Sequence, residues 1–317
     1  MTALTHPRVL IIAGGLTHER EISVRSGRRV ADMLRSAGCD VQISDLDDRV
    51  LSELQDHRPD VVWPLLHGAT GEDGSVRDVL ELAGVPYVGS IPAACRHTWD
   101  KPIAKALVHQ AGVPTPQSVA LPHSVFRELG AAELLEMLRA RLGMPLAVKP
   151  ARGGSALGVS VVQDAAQLPG AMVDCFAYGD EALVERAVTG REVAASVVDL
   201  GGGPSVLPLV EIETAGGPYD YDARYNTGRT EYFVPARLDD KTTETVVEHA
   251  LAAYAALGLR DIARFDFIVD GDVPWFLEAN VAPGMTEVSL LPQAAQGAGH
   301  DLGKLYRQLV EAAIAHG

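Results

Sequence analysis

Arg264-Phe265-Asp266-Phe267-Ile268-Val269-Asp270-Gly271-Asp272-Val273-Pro274-Trp275-Phe276-Leu277-Glu278-Ala279-Asn280, continued by Val281-Ala282-Pro283-Gly284-Met285-Thr286-Glu287-Val288-Ser289, is the stretch around which the chain is organised. Two apolar runs, Phe265 to Val269 and Val273 to Leu277, flank Asp270-Gly271-Asp272, a strong local signal for a β-hairpin. Successive strand residues point to opposite faces. Arg264 and Asp266 therefore share a face of the first strand, and Glu278 and Asn280 share one of the second. An apex near Asp272 sets Asp266 opposite Glu278 and Arg264 opposite Asn280. Like charges directly opposite on a sheet repel, so this pair of acids asks for a cation. The ligands are all oxygen and few, which suits Mg²⁺ shared with substrate phosphates better than Zn²⁺ or a dedicated Ca²⁺ cage. The plainer alternative is a solvated hairpin face with ordinary surface acids. Pro283-Gly284 and Ser289 follow at once, supplying exposed backbone and a helix start, and they favour the metal reading of the set.

Composition sets outer limits. A chain of 317 residues has room for two or three domains with sizeable cores. Lys and Arg number 27 against 42 Asp and Glu, a net charge of −15, which argues against a nucleic-acid or anionic-membrane partner. An anionic ligand must then be met locally by Lys, Arg, backbone amides or a metal. Cys39, Cys95 and Cys175 form no Cys-x-x-Cys pair, as expected of free buried thiols in a reducing compartment. The N-terminus lacks a basic region with a signal-length apolar run, and no apolar stretch reaches membrane length. The expectation is a soluble cytoplasmic protein.

Val9 to Ala13 is a continuous apolar run ended by Gly14-Gly15, as expected of a buried parallel strand. Glu19 to Ala37 has helical spacing at Ile22, Val24, Val30, Met33 and Leu34, and Gly38 closes it. Val41 to Ile43 and Val61 to Leu66 read as further strands, giving an α/β opening. No Gly-x-Gly-x-x-Gly follows the first strand, so a dinucleotide reading loses its main support. Binding sites in such sheets lie at strand carboxyl ends, where Gly14 to Glu19 and His67 to Gly74 emerge. Glu19 either complements a helix dipole or holds a ligand's ammonium group. His67 is either a satisfied structural histidine or a substrate contact. Glu72-Asp73-Gly74 reads as a helix cap before Ser75 to Ala83.

Pro86 to Ser90 reads as a short strand and turn, and a domain boundary falls near residue 97. Asp100-Lys101-Pro102 begins a helix to about Gln110; a strand at Ser118 to Leu121 and a helix from Ser124 to Leu142 follow. Pro145 to Pro150 is an apolar strand carrying one inward cation, Lys149, and it runs into Ala151-Arg152-Gly153-Gly154-Ser155-Ala156-Leu157-Gly158. Such a loop lets backbone N–H groups approach an anion closely, although a flexible turn between strands is the alternative. It is not a Walker A loop. Ala182 to Arg186 and Val193 to Val198 are strands; Glu185 and Glu192, seven residues apart, could bond an adenine amino group and ribose hydroxyls, though neither is specific by itself.

Taken together, these residues resemble a known family. Glu19-Arg20-Glu21, His67-Gly68 with Gly71 to Gly74, Asp100-Lys101, Val148-Lys149-Pro150 with Gly154-Ser155, Tyr219-Asp220-Tyr221 with Tyr225, and Glu278-Ala279-Asn280 with Pro283 to Thr286 are similar to motifs of the D-alanine:D-alanine ligases of the ATP-grasp superfamily. The likeness spans essentially the whole chain, in order. It implies an ATP-grasp fold, α/β and α+β: an N-terminal α/β substrate-binding domain (1–97), then central (98–187) and C-terminal (188–317) α+β subdomains clasping ATP.

The resemblance also implies roles. Lys101, Lys149, Gly154 and Ser155 would meet the phosphates of ATP; Glu185, Arg186 and Glu192 would hold adenosine. Asp266, Glu278 and Asn280 would bind Mg²⁺ or Mn²⁺, two ions in all, with Glu278 also facing ATP. Glu19 would anchor the ammonium of the first D-alanine, with His67 nearby and Ser155 and Tyr225 completing the hydrogen-bonded group. Arg264 and the Gly284 N–H would stabilise an oxyanion, while Ser289, Leu290 and Arg224 would bind substrate. A lid over 216–231 would exclude water from an acylphosphate. The implied assembly is a homodimer and the implied product serves the cell wall.

Two departures from the family pattern stand out. Ser155-Ala156 replaces two adjacent serines, and Arg224 stands where a lysine commonly precedes the lid tyrosine, keeping charge but changing geometry. The alternatives are a paralogue with another acceptor and a nucleotide-binding module without turnover.

Overall fold

Three sheets succeed one another along the chain in the computed structural model, which describes residues 5–214 and 230–316. The first is parallel, ordered β2-β1-β3, from β1 (Arg8–Ile12), β2 (Asp40–Ser44) and β3 (Val61–Pro64). Val9 to Ile12 of β1 and all of β3 are continuous apolar runs because both faces are covered there, whereas the edge strand β2 is mixed. Val9 and Ile11 face α1 (Arg20–Ser36), while Leu10 and Ile12 pack with Val50 and Leu54 of α2 (Val50–His57). After β3 come α3 (Ala69–Glu72) and α4 (Ser75–Leu82). The strand expected near Pro86 shrinks to a single bridge between Tyr87 and Val62.

Helices α5 (Pro92–Trp99) and α6 (Lys101–Gln110) lead to the second sheet. Asp100 caps α6 by accepting the Ile103 N–H at 3.2 Å. The sheet is antiparallel, ordered β4-β7-β5-β6, from β4 (Ser118–Pro122), β5 (Leu146–Pro150), β6 (Ser160–Val162) and β7 (Glu181–Arg186). The single helix expected over 124–142 is two, α7 (His123–Leu129) and α8 (Ala131–Leu142). Gly130 separates them at φ +88°, outside helical space. With α9 (Leu168–Phe176) they cover one face of the sheet, where Leu146, Val148, Ala182 and Val184 are buried. Alternation turns Ala147, Lys149 and Glu185 to the other face.

The third sheet has the path β11-β10-β8-β12-β13, with β9 paired to β8. Its strands are β8 (Arg191–Asp199), β9 (Pro204–Val206), β10 (Val210–Thr214), β11 (Thr230–Phe233), β12 (Ile262–Asp270) and β13 (Val273–Asn280). On one face Val193, Ala195, Val197, Phe265, Phe267 and Phe276 pack with α5, α6 and α10 (Asp240–Ala256). The Phe267 and Phe276 rings meet edge to face at 5.9 Å. On the other, Ala194, Val198, Val210 and Ile262 join a core shared with the first sheet, α11 (Leu290–Gly297) and α12 (Leu302–His316). The last helix therefore completes the first core, Tyr306 meeting Trp63 edge-on at 5.6 Å. Among the described residues no helix is long and apolar enough to cross a membrane.

Candidate active site

The hairpin turns through Gly271 and Asp272, with Asp270 facing Val273 and Gly271 at φ +58°; Asp270 belongs to the strand rather than the turn. Counted without interruption from that turn, Asp266 would face Leu277. It faces Glu278 instead, and Arg264 faces Asn280, because the ladder shifts between Asp266 and Phe267 and leaves Leu277 as an extra residue. The expected register is thus reached through a bulge, and Leu277 and Glu278 both line the cleft between the second and third sheets. The Arg264 guanidinium donates to both Asp266 oxygens, at 2.7 and 2.8 Å. Asn280 Oδ1 accepts the Ala282 N–H at 2.8 Å, and a Glu278 oxygen lies 3.6 Å from Lys101 Nζ.

Lys149 and Glu185 form the opposing wall. They are diagonal neighbours on one face of β5 and β7, with Lys149 Nζ 2.6 Å from Glu185 Oε1. Glu185 Oε2 accepts from Lys105 Nζ, on the turn of α6 that follows Lys101. Burial alone would raise the Glu185 carboxyl, but Lys149 and then Lys105 outweigh it and hold it below the usual range. Glu185 lines the cleft as expected, yet both its oxygens are engaged by lysines, and Lys105 is a partner that the sequence reading missed. Arg186 and Glu192 line the same cleft, Arg186 exposed and Glu192 beside Ile268 in the ladder.

Between the walls runs the glycine-rich loop. Asp100 accepts from Arg152 Nε and Nη2 at 2.9 and 2.6 Å, and Lys101 Nζ donates to the Gly153 carbonyl at 2.5 Å, so the loop is tied to the start of α6. Ser155 and Ala156 both sit at positive φ, +50° and +57°, which side chains rarely adopt. That twist aims the Ser155 hydroxyl at Glu19, to which it donates, and a Cβ on Gly154 would stand 3.5 Å from the same carboxylate. Glu19 occupies the N-cap position of α1 but its side chain caps nothing. It is buried and turned into the site, so dipole complementation is not its main task.

Glu72 corrects a sequence expectation. Asp73 does the capping, accepting the Ser75 N–H at 2.8 Å. Glu72 is buried, accepts the Gly68 N–H at 2.8 Å, and lines an inner pocket with Lys101, Ser155, Arg264, Glu278 and Asn280. Burial, then the Glu19 charge, pushes its carboxyl up to about 8. His67 is buried too; desolvation pushes its imidazole down to about 4, opposed by a hydrogen bond with the Ala282 backbone.

Gly284 and Ser289 lie together, since a Cβ on Gly284 would come 2.8 Å from Ser289 Oγ. Ser289 Oγ accepts the Thr286 N–H at 2.9 Å and precedes α11. The Leu290 side chain is buried in the apolar core, so only its backbone is offered to a ligand. Arg224, Tyr225 and nearly all of the expected lid over 216–231 fall outside the described residues.

Among the described residues no three His, Cys, Asp or Glu side chains gather into a self-contained metal cage. Two carboxylates and an amide oxygen on facing strands still fit a hard divalent cation that takes its remaining oxygens from phosphates and water. Lys101, Lys149 and the loop amides across the cleft are where those phosphates would lie.

Residues 47–90 match the family model described as D-ala D-ala ligase N-terminus, and residues 107–311 the one described as D-ala D-ala ligase C-terminus. The D-alanine--D-alanine ligase of Desulforudis audaxviator is 39% identical over 309 residues, covering 96% of this chain and 98% of that protein. The chain belongs to the D-alanine–D-alanine ligase family. Within that family, the solved Bacillus anthracis enzyme complexed with ATP superimposes with a TM-score of 0.81 at 29% identity, covering 98% of each chain. The VanG D-Ala:D-Ser ligase of Enterococcus faecalis gives 0.83 at 26% identity, covering 97% of this chain and 99% of that one. The ATP-grasp architecture is thereby established for this family member, and the backbone is one that also serves a ligase named for a different acceptor.

Proposed function

We propose that this protein is an ATP- and Mg²⁺-dependent ligase that joins two D-alanines into D-alanyl-D-alanine, releasing ADP and phosphate, for peptidoglycan synthesis. The observation that carries the reading is a cleft with Lys101, Lys149 and the glycine loop on one side and Asp266, Glu278 and Asn280 on the other. A buried acid, Glu19, stands at its inner end.

A carboxylate is a poor electrophile, so it must first take the γ-phosphoryl group of ATP, and the protein's task in that step is positioning and charge neutralisation. Lys101, Lys149 and the loop N–H groups would hold the phosphates, with Arg186 and Glu192 toward the nucleoside. When bound by Asp266, Glu278 and Asn280, magnesium supplies positive charge against the phosphate oxygens. Glu19, oriented by Ser155, would take the ammonium of the first D-alanine and so place its carboxylate toward the cleft. The second amine then attacks the acylphosphate. Arg264 and the Gly284 N–H would meet the oxyanion, each well-placed donor contributing roughly 3 to 4 kcal/mol. Ser289 and the Leu290 N–H, at the start of α11, suit the second carboxylate.

We also divide the chain into three working parts near residues 97 and 187, counting α12 with the first because it packs there. We place the protein in the cytoplasm as a homodimer, for which exposed Ile43, Leu51, Val79 and Leu82 around the first sheet offer apolar surface.

Phosphate release from Mg·ATP, measured with D-alanine, L-alanine, D-serine or D-lactate in turn, tests the activity. Release that depends on D-alanine is expected. ATP binding without release under any of the four overturns the reading in favour of a nucleotide-binding module.

A further inference from the structure

Lys105 takes no part in the reading so far, yet it is among the most deeply buried charges in the molecule. Its side chain is 4% exposed, that of Glu185 3% and that of Lys149 8%. Both ammonium groups engage the same carboxylate, Lys149 on Oε1 and Lys105 on Oε2. Taking three charges out of water is costly, and a single buried pair would already be neutral. The third member leaves the cluster with one net positive charge beside the cleft that Lys149 and Glu185 line.

Resting on the ligase reading, we propose that Lys105 is a positioning residue: by holding the outer oxygen of Glu185 it keeps Lys149 aligned and leaves that lysine's charge uncancelled for the phosphates of ATP. Paired with Lys149 alone, Glu185 would be free to rotate and offer both oxygens to one ammonium, closing a neutral pair that has little attraction for an anion. Lys105 prevents this from the face of the sheet to which Glu185 points, the one away from α7 to α9. It reaches Glu185 from α6, one turn after Lys101, so a single helix presents one lysine to the loop and another to the carboxylate.

The arrangement also makes the extra charge sensitive to pH. Burial lowers the Lys105 ammonium to about 8, Lys149 adding to the effect and Glu185 opposing it. The other charged groups near it are His109 on its own helix and Arg186 and Asp270 from the strands, which share with it a cavity of about 700 Å³ on the far side of the 186–189 connection.

The test compares Lys105→Met and Lys105→Arg with the wild type, reading ATP affinity by calorimetry in the presence of Mg²⁺ and the KM values for ATP and D-alanine. Removing one buried charge should weaken ATP binding roughly ten- to a hundredfold in Lys105→Met and leave the D-alanine KM within about twofold, while Lys105→Arg stays within about threefold. In the wild type the ATP KM should rise above pH 8, and in Lys105→Arg that rise should vanish, since guanidinium does not titrate there. Unchanged ATP affinity in Lys105→Met, or an equal effect on both substrates, overturns the proposal. If Lys105→Met does not fold, the pH profiles decide, and an equal rise in wild type and Lys105→Arg overturns it. A wild type that binds ATP but ligates no D-alanine refutes the ligase reading, while the calorimetric comparison still judges Lys105.

Discussion

On the β5–β7 wall of the cleft the buried charges are paired within the protein: Glu185 sits between Lys149 and Lys105, and beside them the buried Asp100 accepts from the exposed Arg152. On the β12–β13 wall the balance runs the other way. Among the described residues Asp266 and Glu278, joined by Glu19 from the start of α1 and Glu72 from α3, outnumber Arg264 and the Lys101 that reaches across from α6, which leaves acids in excess. Among the described residues the charges of the cationic wall are paired within the protein, whereas the acids around Arg264 and Lys101 keep a negative excess even with Glu72 protonated, which a divalent cation would offset. A protein that must bring a polyanion and a divalent metal together gains from this asymmetry. One wall is ready for phosphate while the other calls for the metal that accompanies it.

Breaking the acidic wall should have the largest effect. Glu278→Gln removes one of two facing carboxylates and should lower kcat/KM by about a thousandfold or more, matching the several kcal/mol a metal's charge contributes. Its melting temperature should stay within about 3 °C of wild type, because Glu278 is half-buried and its approach to Lys101, at 3.6 Å, is long for an ion pair. Near-normal turnover would remove Glu278 from the metal site.

Breaking the cationic wall comes next. Lys149→Met should raise the ATP KM about a hundredfold and leave Glu185 paired with Lys105. Its D-alanine KM should hardly move; a comparable rise there would mean that the wall serves both substrates.

The link between the walls is finer. Ser155→Ala removes a hydroxyl donated to a buried carboxylate, a loss of about 1.5 to 3 kcal/mol, or roughly ten- to a hundredfold in kcat/KM for D-alanine. Ser155→Thr, which keeps the hydroxyl but crowds a backbone at φ +50°, should fall between the two; full activity in Ser155→Ala would detach the loop from Glu19.

The smallest effect concerns Glu72 and is one of stability. Its carboxyl stands at about 8 in the folded state against an ordinary 4.5. The folded state therefore holds the proton more tightly, and the stability this contributes is present below pH 4.5 and lost as pH rises through 8. Glu72→Gln, which stays neutral, should raise the melting temperature relative to wild type at pH 9 and change it little at pH 5. A constant difference at both pH values would mean that Glu72 does not titrate between them.

Much of this site was legible because it depends on strand alternation. Arg264 and Asp266 had to share a face while Phe265 and Phe267 took the other, and Lys149 had to leave the core that Leu146 and Val148 enter. The bulge at Leu277 was not legible, and without it Asp266 would face a leucine. Glu72 was misread because a carboxylate just before a helix fits a cap locally, and only the fold shows that Asp73 already fills that role. Leu290, placed by resemblance among the substrate contacts, turned out to bury its side chain, since the first residue of α11 also closes the shared core.

What this sequence determined alone was local: the period of each strand, the glycine-rich loop, and the residue types on the hairpin faces. These follow from covalent geometry and sterics, which act over a few residues. The pairing of Lys105 with Glu185 across 80 positions, the meeting of Glu19 and Ser155 across 136, and the return of α12 to the first sheet were decided by tertiary structure. Desolvation and close packing depend on which surfaces meet, and no local pattern encodes that meeting.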